Sequence, residues 1–165
     1  MSKSLLCLTL LILSLELSFA KYSDDPKAQL TYQVFNELRS DNTDILNQFY
    51  AEGIEFKDPV GEINGLEAMK TYYKEMYKNV ESIRFDFRPF SVSEDRYFFP
   101  WTMYLKTPSL NSGEEFGVEG VSEIHFNGEL VTFHRDYFDM GEFIYERLPV
   151  FGRIVKTIRK RLQHK

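Results

Sequence analysis

Two short stretches hold the residues best suited to chemistry. In Phe56-Lys57-Asp58-Pro59-Val60-Gly61 a single carboxylate, Asp58, sits between an aromatic residue and a proline. In His134-Arg135-Asp136-Tyr137-Phe138-Asp139 an imidazole and a carboxylate lie two residues apart. Residues i and i+2 of a strand share a face, so His134 and Asp136 point one way and Arg135 and Tyr137 the other. Burial raises a carboxylate's proton affinity, and a neighbouring histidine can donate or accept a proton. Such a group suits proton transfer beside a carbonyl, or water activation. Each residue also has a structural reading. Asp58 before Pro59 can anchor a turn, His134 and Asp136 can form a buried pair, and Asp139 suits the cap of a following helix.

The elements that must position these groups follow from periodicity. The spacing of Leu30, Val34, Phe35 and Leu38 after Pro26 predicts a first helix. Ile45, Leu46 and Phe49, with Asn42 or Thr43 as cap and Gly53 as stop, predict a short second one. A short strand then ends at Pro59, and Gly61 to Gly65 reads as loop. Leu66, Met69, Tyr73, Met76 and Tyr77 mark a third helix. After Val80 the period falls to two: Ile83, Phe85 and Phe87, then Phe99, Trp101, Met103 and Leu105. Two further strands follow, joined by the Asn127-Gly128 hairpin signal. A last helix starts near Gly141 and breaks around Pro149–Gly152. This is an α+β plan, a curved antiparallel sheet folded over three N-terminal helices with an extra C-terminal helix.

Composition narrows the partners. The chain has 165 residues, enough for one domain with a real core, and is rich in Phe (15) and Tyr (10). Residues 1–20 combine Lys3, an apolar run from Leu5 to Leu15, and small residues before Lys21. They read as a secretory signal cleaved between Ala20 and Lys21, giving a secreted or periplasmic protein; the alternative is an uncleaved N-terminal membrane anchor. Cys7, the only cysteine, lies inside this segment, so the mature chain would hold no disulfide.

Charge is unevenly placed. Six Lys/Arg and no acid lie from Arg153 onward, leaving 13 basic against 24 acidic residues, −11, on residues 21–152. An acidic body does not suit nucleic acid. His125 is expected to face away from the apolar positions beside it, and His164 lies in the tail, so no metal site emerges. No Gly-rich phosphate loop is present, and no cofactor is expected. The tail from 151 places Phe151, Ile154, Val155, Ile158 and Leu162 on one stripe, with basic residues over most of the rest. Such a helix either makes peripheral contact with an anionic membrane or packs on the body's own acidic face.

Taken together, "FYAEGIEFKDPVGEINGLEAMKTYY", "HFNGELVTFHRDYFDMGEF" and the element order resemble the SnoaL-like branch of the nuclear transport factor 2-like superfamily, over roughly residues 27–150. The resemblance implies residues 21–150 as the domain, with 151–165 a basic amphipathic helix outside it. It also implies a cone-like fold with a concave pocket and frequent dimerisation through the sheet. Related ketosteroid isomerases carry a base where Asp58 stands, but Val34 and Ser122 occupy their oxyanion-hole positions. Related limonene epoxide hydrolases carry a catalytic aspartate where Asp136 stands. Trp101 and Met103 replace its two partners there, and Phe56 replaces a water-positioning tyrosine.

The resemblance therefore points Asp58, His134 and Asp136 toward one apolar pocket lined by Phe56, Phe99, Trp101, Met103 and Ser122. Two functions follow as expectations. One is a domain that binds a small lipophilic molecule and performs acid–base isomerase, cyclase or hydrolase chemistry on it. The other is a non-catalytic ligand-binding or protein-interaction module.

Overall fold

The computed structural model describes residues 24–148 and 150–163. The expected signal segment, its Ala20–Lys21 junction, Cys7 and His164 lie outside these residues. Helix α1 spans Pro26–Glu37. Its cap is Asp25, whose Oδ1 accepts from the backbone N–H of Lys27 and Ala28, with Pro26 in the first turn. The other oxygen of Asp25 accepts from the Tyr97 hydroxyl at 3.1 Å, so the cap also ties the helix to the sheet.

The second expected helix is only a 3₁₀ turn, Thr43–Gln48. Asn42 does not cap it. Its side chain accepts from the backbone N–H of Arg39 and donates to the Glu37 carbonyl, closing the end of α1 instead. The stretch expected to finish that helix is already strand β1, Tyr50–Lys57. Gly53 is therefore not a helix stop. It falls where the β1–β7 register shifts between Tyr50 and Glu55, the strand irregularity that an interior glycine commonly marks. The expected loop after Gly61 contains β2, Glu62–Asn64, paired antiparallel to β1.

Helix α2 is Leu66–Tyr77. The strands β3 (Ser82–Phe87), β4 (Ser91–Ser93), β5 (Arg96–Lys106), β6 (Phe116–Asn127) and β7 (Leu130–Phe138) complete a seven-stranded, unclosed curved sheet. Its order is β2-β1-β7-β6-β5-β3, with β4 on β5. In β5, buried Tyr97, Phe99, Trp101, Met103 and Leu105 alternate with less buried neighbours, as a half-covered strand requires. The hairpin from β6 to β7 turns through Gly128 at φ 64°, a region open to glycine.

The last helix is divided. Met140–Phe143 (α3) is capped by Asp139, which accepts from the backbone N–H of Gly141 and Glu142. A 3₁₀ turn, Tyr145–Arg147, leads to α4, Phe151–Gln163. The core lies between the sheet's concave face and α1 with α2.

One feature of the topology brings the two chemical stretches together. All neighbouring strands pair antiparallel except β1 with β7, which run parallel with Phe56 opposite His134 and Lys57 opposite Arg135. Asp58 leaves the end of β1 as Asp136 is reached on β7.

Candidate functional site

His134 is fully buried near the middle of the sheet, edge-on to Phe56 with ring centroids 5.1 Å apart. Its Nε2 lies 2.9 Å from Asp136 Oδ1, and its Nδ1 lies 2.6 Å from the Tyr50 hydroxyl. Across the β6–β7 pairing Ser122 stands opposite Asp136, and its hydroxyl donates to the same Oδ1 at 2.5 Å. Trp101 Nε1 donates to Ser122 Oγ at 2.8 Å.

The direction of this chain follows from the groups in it. An indole N–H can only donate, so Ser122 accepts from Trp101 and turns its own proton toward Asp136. Asp136 Oδ1 accepts, so His134 donates from Nε2; in the neutral ring Nδ1 then accepts from Tyr50. Both donors converge on Oδ1, so Oδ2 is the oxygen that Asp136 can turn toward a ligand.

Asp136 lines a cavity of about 390 Å³. Helix α1 supplies Val34 and Phe35 to its wall, Leu38 follows at its C-terminal end, and α2 supplies Tyr72, Tyr73 and Tyr77. Phe56, Trp101 and Met103 line it, and Phe143 and Ile144 reach it from the C-terminal side. Asp58 lines the same cavity. The turn and cavity readings of Asp58 both hold. Its Oδ1 accepts from the backbone N–H of Val60 (2.7 Å) and Gly61 (2.8 Å), while Oδ2 accepts from the Tyr72 hydroxyl at 2.8 Å.

Three expected site residues are placed otherwise. His134 and Ser122 stand behind the cavity wall and touch Asp136. Phe99 does not reach the cavity. It lies nearer the start of β5, packed against Phe90, Tyr97 and Tyr32 with centroids 5.3–5.8 Å apart. A shared strand face does not guarantee a shared pocket, because β5 extends past the cavity under α1.

The sequence reading missed four phenols as site residues: Tyr50, Tyr72, Tyr73 and Tyr77. Each is held above the ordinary tyrosine range, first by burial and further by the charge of Asp136. Tyr72 also feels Asp58, through its charge and the hydrogen bond. They therefore stay protonated at neutral pH, and two of them donate within the site, Tyr72 to Asp58 and Tyr50 to His134. Among the described residues no group of three His, Cys, Asp or Glu side chains is placed to hold a metal ion.

The arrangement has relatives. Solved structures of this architecture include a protein with a ketosteroid isomerase-like fold from Catenulispora acidiphila, in complex with trimethylamine. It is 13% identical, with a TM-score of 0.62 over 71% of this chain and 88% of that one. A protein described as a SnoaL-like polyketide cyclase from Jannaschia sp. CCS1 gives 13% identity and 0.60 over 69% and 85%. TerC, co-crystallised with polyporic acid, gives 16% and 0.62 over 72% and 95%. At these identities the likeness is one of fold. A search of curated proteins found no match. The family model for the SnoaL-like domain matches residues 31–134, which holds the second half of α1, all of α2 and most of the sheet, and by this match the chain belongs to the SnoaL-like domain family.

Proposed function

We propose that the cavity binds a small lipophilic molecule bearing a carbonyl group, and that Asp136 moves a proton on it without a cofactor. The observation that supports this most is the sharing of one cavity by Asp136 and the Asp58–Tyr72 pair. Asp136 supplies the base at Oδ2, while Ser122 and His134 hold its other oxygen. On ligand binding the Tyr72 hydroxyl turns its single proton from Asp58 Oδ2 to the ligand oxygen that gains charge when a neighbouring C–H is deprotonated. Isomerisation and cyclisation are the reactions this pair serves. The apolar, aromatic wall selects the ligand by burial and shape. Two solved structures of the same fold contain small molecules, trimethylamine and polyporic acid, which is consistent with the fold serving as a container.

Native mass spectrometry of the purified protein is expected to show a co-purifying small molecule. In D₂O that molecule is expected to take up deuterium at an acidic C–H with the wild-type protein and not with Asp136→Asn. Ligand retained without exchange in either protein would reject catalysis. It would leave the second reading, a binding module. That reading is favoured by Val34, which lines the cavity where related isomerases carry a tyrosine donor, and by the hold of the turn on Asp58.

Export is part of the same proposal. The N-terminal sequence of the released protein is expected to begin at Lys21; a start at Met1 or Ser2 rejects it.

A further inference from the structure

Helix α4 leaves the domain with most of its apolar stripe uncovered. Phe151 is 59% exposed, Ile154 52%, Ile158 54% and Leu162 69%, with Val155 half-buried. The helix is about 20 Å long at 1.5 Å per residue, and no described helix is long and apolar enough to cross a membrane. Its attachment runs along a different side. Gly152 is buried against the 3₁₀ turn so closely that an added Cβ would meet the Glu146 carbonyl oxygen at 2.3 Å. Arg159 pairs with Glu146 at 2.8 Å and with Asp139 at 3.5 Å. At 100° per residue, Gly152 and Arg159 fall on one side of α4. The centre of the apolar stripe is turned roughly a quarter of a revolution away. The contacts that fix the helix therefore hold the stripe outward.

We propose that α4 docks on the surface of an anionic phospholipid bilayer, with its stripe in the interface. Charge selects this occupant. Between 151 and 163 the helix carries Arg153, Lys156, Arg159, Lys160 and Arg161 and no acid. An apolar stripe beneath a cationic face is the pattern of helices that lie in the headgroup plane. A second copy would pair two helices of like charge. The domain's own acidic surface already receives Arg159 and leaves the stripe open. Docking also orients the cavity, because the short Tyr145–Arg147 turn joins α4 to Phe143 and Ile144 of its wall.

Vesicle flotation tests the proposal independently of what the cavity does. The full chain is expected to bind phosphatidylcholine vesicles containing phosphatidylglycerol, weakly bind pure phosphatidylcholine, and dissociate as salt rises. Ile154→Glu/Ile158→Glu is expected to abolish the α4-dependent binding. Lys156→Gln/Lys160→Gln/Arg161→Gln is expected to weaken it roughly a hundredfold, at about a tenfold loss for each 1.4 kcal/mol and about 1 kcal/mol per basic residue. All proteins share one N-terminus, so differences among them belong to α4, and circular dichroism checks that each is folded. Equal flotation of the wild type and the Glu double variant would overturn the proposal. So would equal binding to neutral vesicles, or a wild-type dimer that the Glu variant turns into a monomer without any change in vesicle binding.

Discussion

Phe56 stands opposite His134 across the parallel strands β1 and β7, the ring edge of one against the face of the other at 5.1 Å. The pairing joins the first strand of the chain to the last. It is the physical reason that two motifs nearly eighty residues apart contribute to one site. It also fixes the depth of His134, which touches Phe35, Tyr50, Phe56 and Asp136 and sits behind these cavity-lining residues.

Ser122→Ala removes an acceptor from a buried indole and a donor from Asp136. Leaving the Trp101 N–H unpaired is expected to cost about 1–3 kcal/mol, a fall in Tm of about 2–4 °C per kcal/mol for a chain of this size. Trp101→Phe alone removes that N–H along with ring contacts. Urea titrations of both single variants and the double variant are expected to show the double costing less than the sum, because it leaves no orphaned indole. Strict additivity would mean the 2.8 Å contact carries no coupling.

Gly120 is opposite Trp101 in the β5–β6 ladder, and the indole lies flat across it. A Cβ there would meet three ring atoms at 2.2–2.6 Å. Gly120→Ala is therefore expected to tilt Trp101, break its bond to Ser122 and cost about 1–3 kcal/mol as an overpacked site. Trp101 is the chain's only tryptophan, so its fluorescence and near-UV circular dichroism report the movement directly. Unchanged spectra with unchanged stability would count against this packing.

What could be read from the sequence divides along physical lines. Regular periods gave α1, α2 and β5, because a half-buried helix or strand records its buried face in residue type. The capping role of Asp139 was also legible, since it depends on neighbours two and three residues away. Tyr50 was lost because Gly53 invites a helix end, while the actual strand tolerates Gly53 through its pairing with a distant β7. Tyr72 was lost because the helical stripe through Leu66, Met69, Tyr73 and Tyr77 passes beside it. Its partner, Asp58, is supplied by a turn, and no helix period records that. Nothing in the local pattern of β5 separates Phe99 from Trp101, since the cavity edge is set by α1 packing over one end of the sheet.

The phenols make a prediction about alkali. Tyr97 is pushed up to about 12, first by burial and then by the charge of Asp25 with which it bonds. Tyr50, Tyr72, Tyr73 and Tyr77 are also raised. In the unfolded chain all five ionise near pH 10. The native state thus holds more protons than the unfolded state above that pH, so their contribution is complete below about pH 10 and is lost as pH rises through the native values. Ultraviolet titration of phenolate is expected to show these five silent near pH 10 and appearing together with unfolding at higher pH. Reversible ionisation of all tyrosines near pH 10 in folded protein would contradict the burial of the cavity wall.

The two roles of Asp58 can be separated by two substitutions. Asn keeps an oxygen for the Val60 and Gly61 N–H groups but replaces Oδ2 with a donor, so the turn persists while Tyr72 loses its acceptor and a nearby charge. Asp58→Asn is expected to cost less stability than Asp58→Ala, because both turn hydrogen bonds persist and only the Tyr72 contact changes. Asp58→Ala is expected to lose about 1–2 kcal/mol with both turn hydrogen bonds. The Tyr72 phenol is expected to titrate lower in both variants than in wild type, yet still above pH 10, because burial is the larger cause of its shift. If Asp58→Asn also abolishes deuterium exchange into the bound ligand while leaving stability intact, the charge on Asp58 serves the cavity. If exchange persists in Asn and falls only in Ala, Asp58 acts through the turn alone.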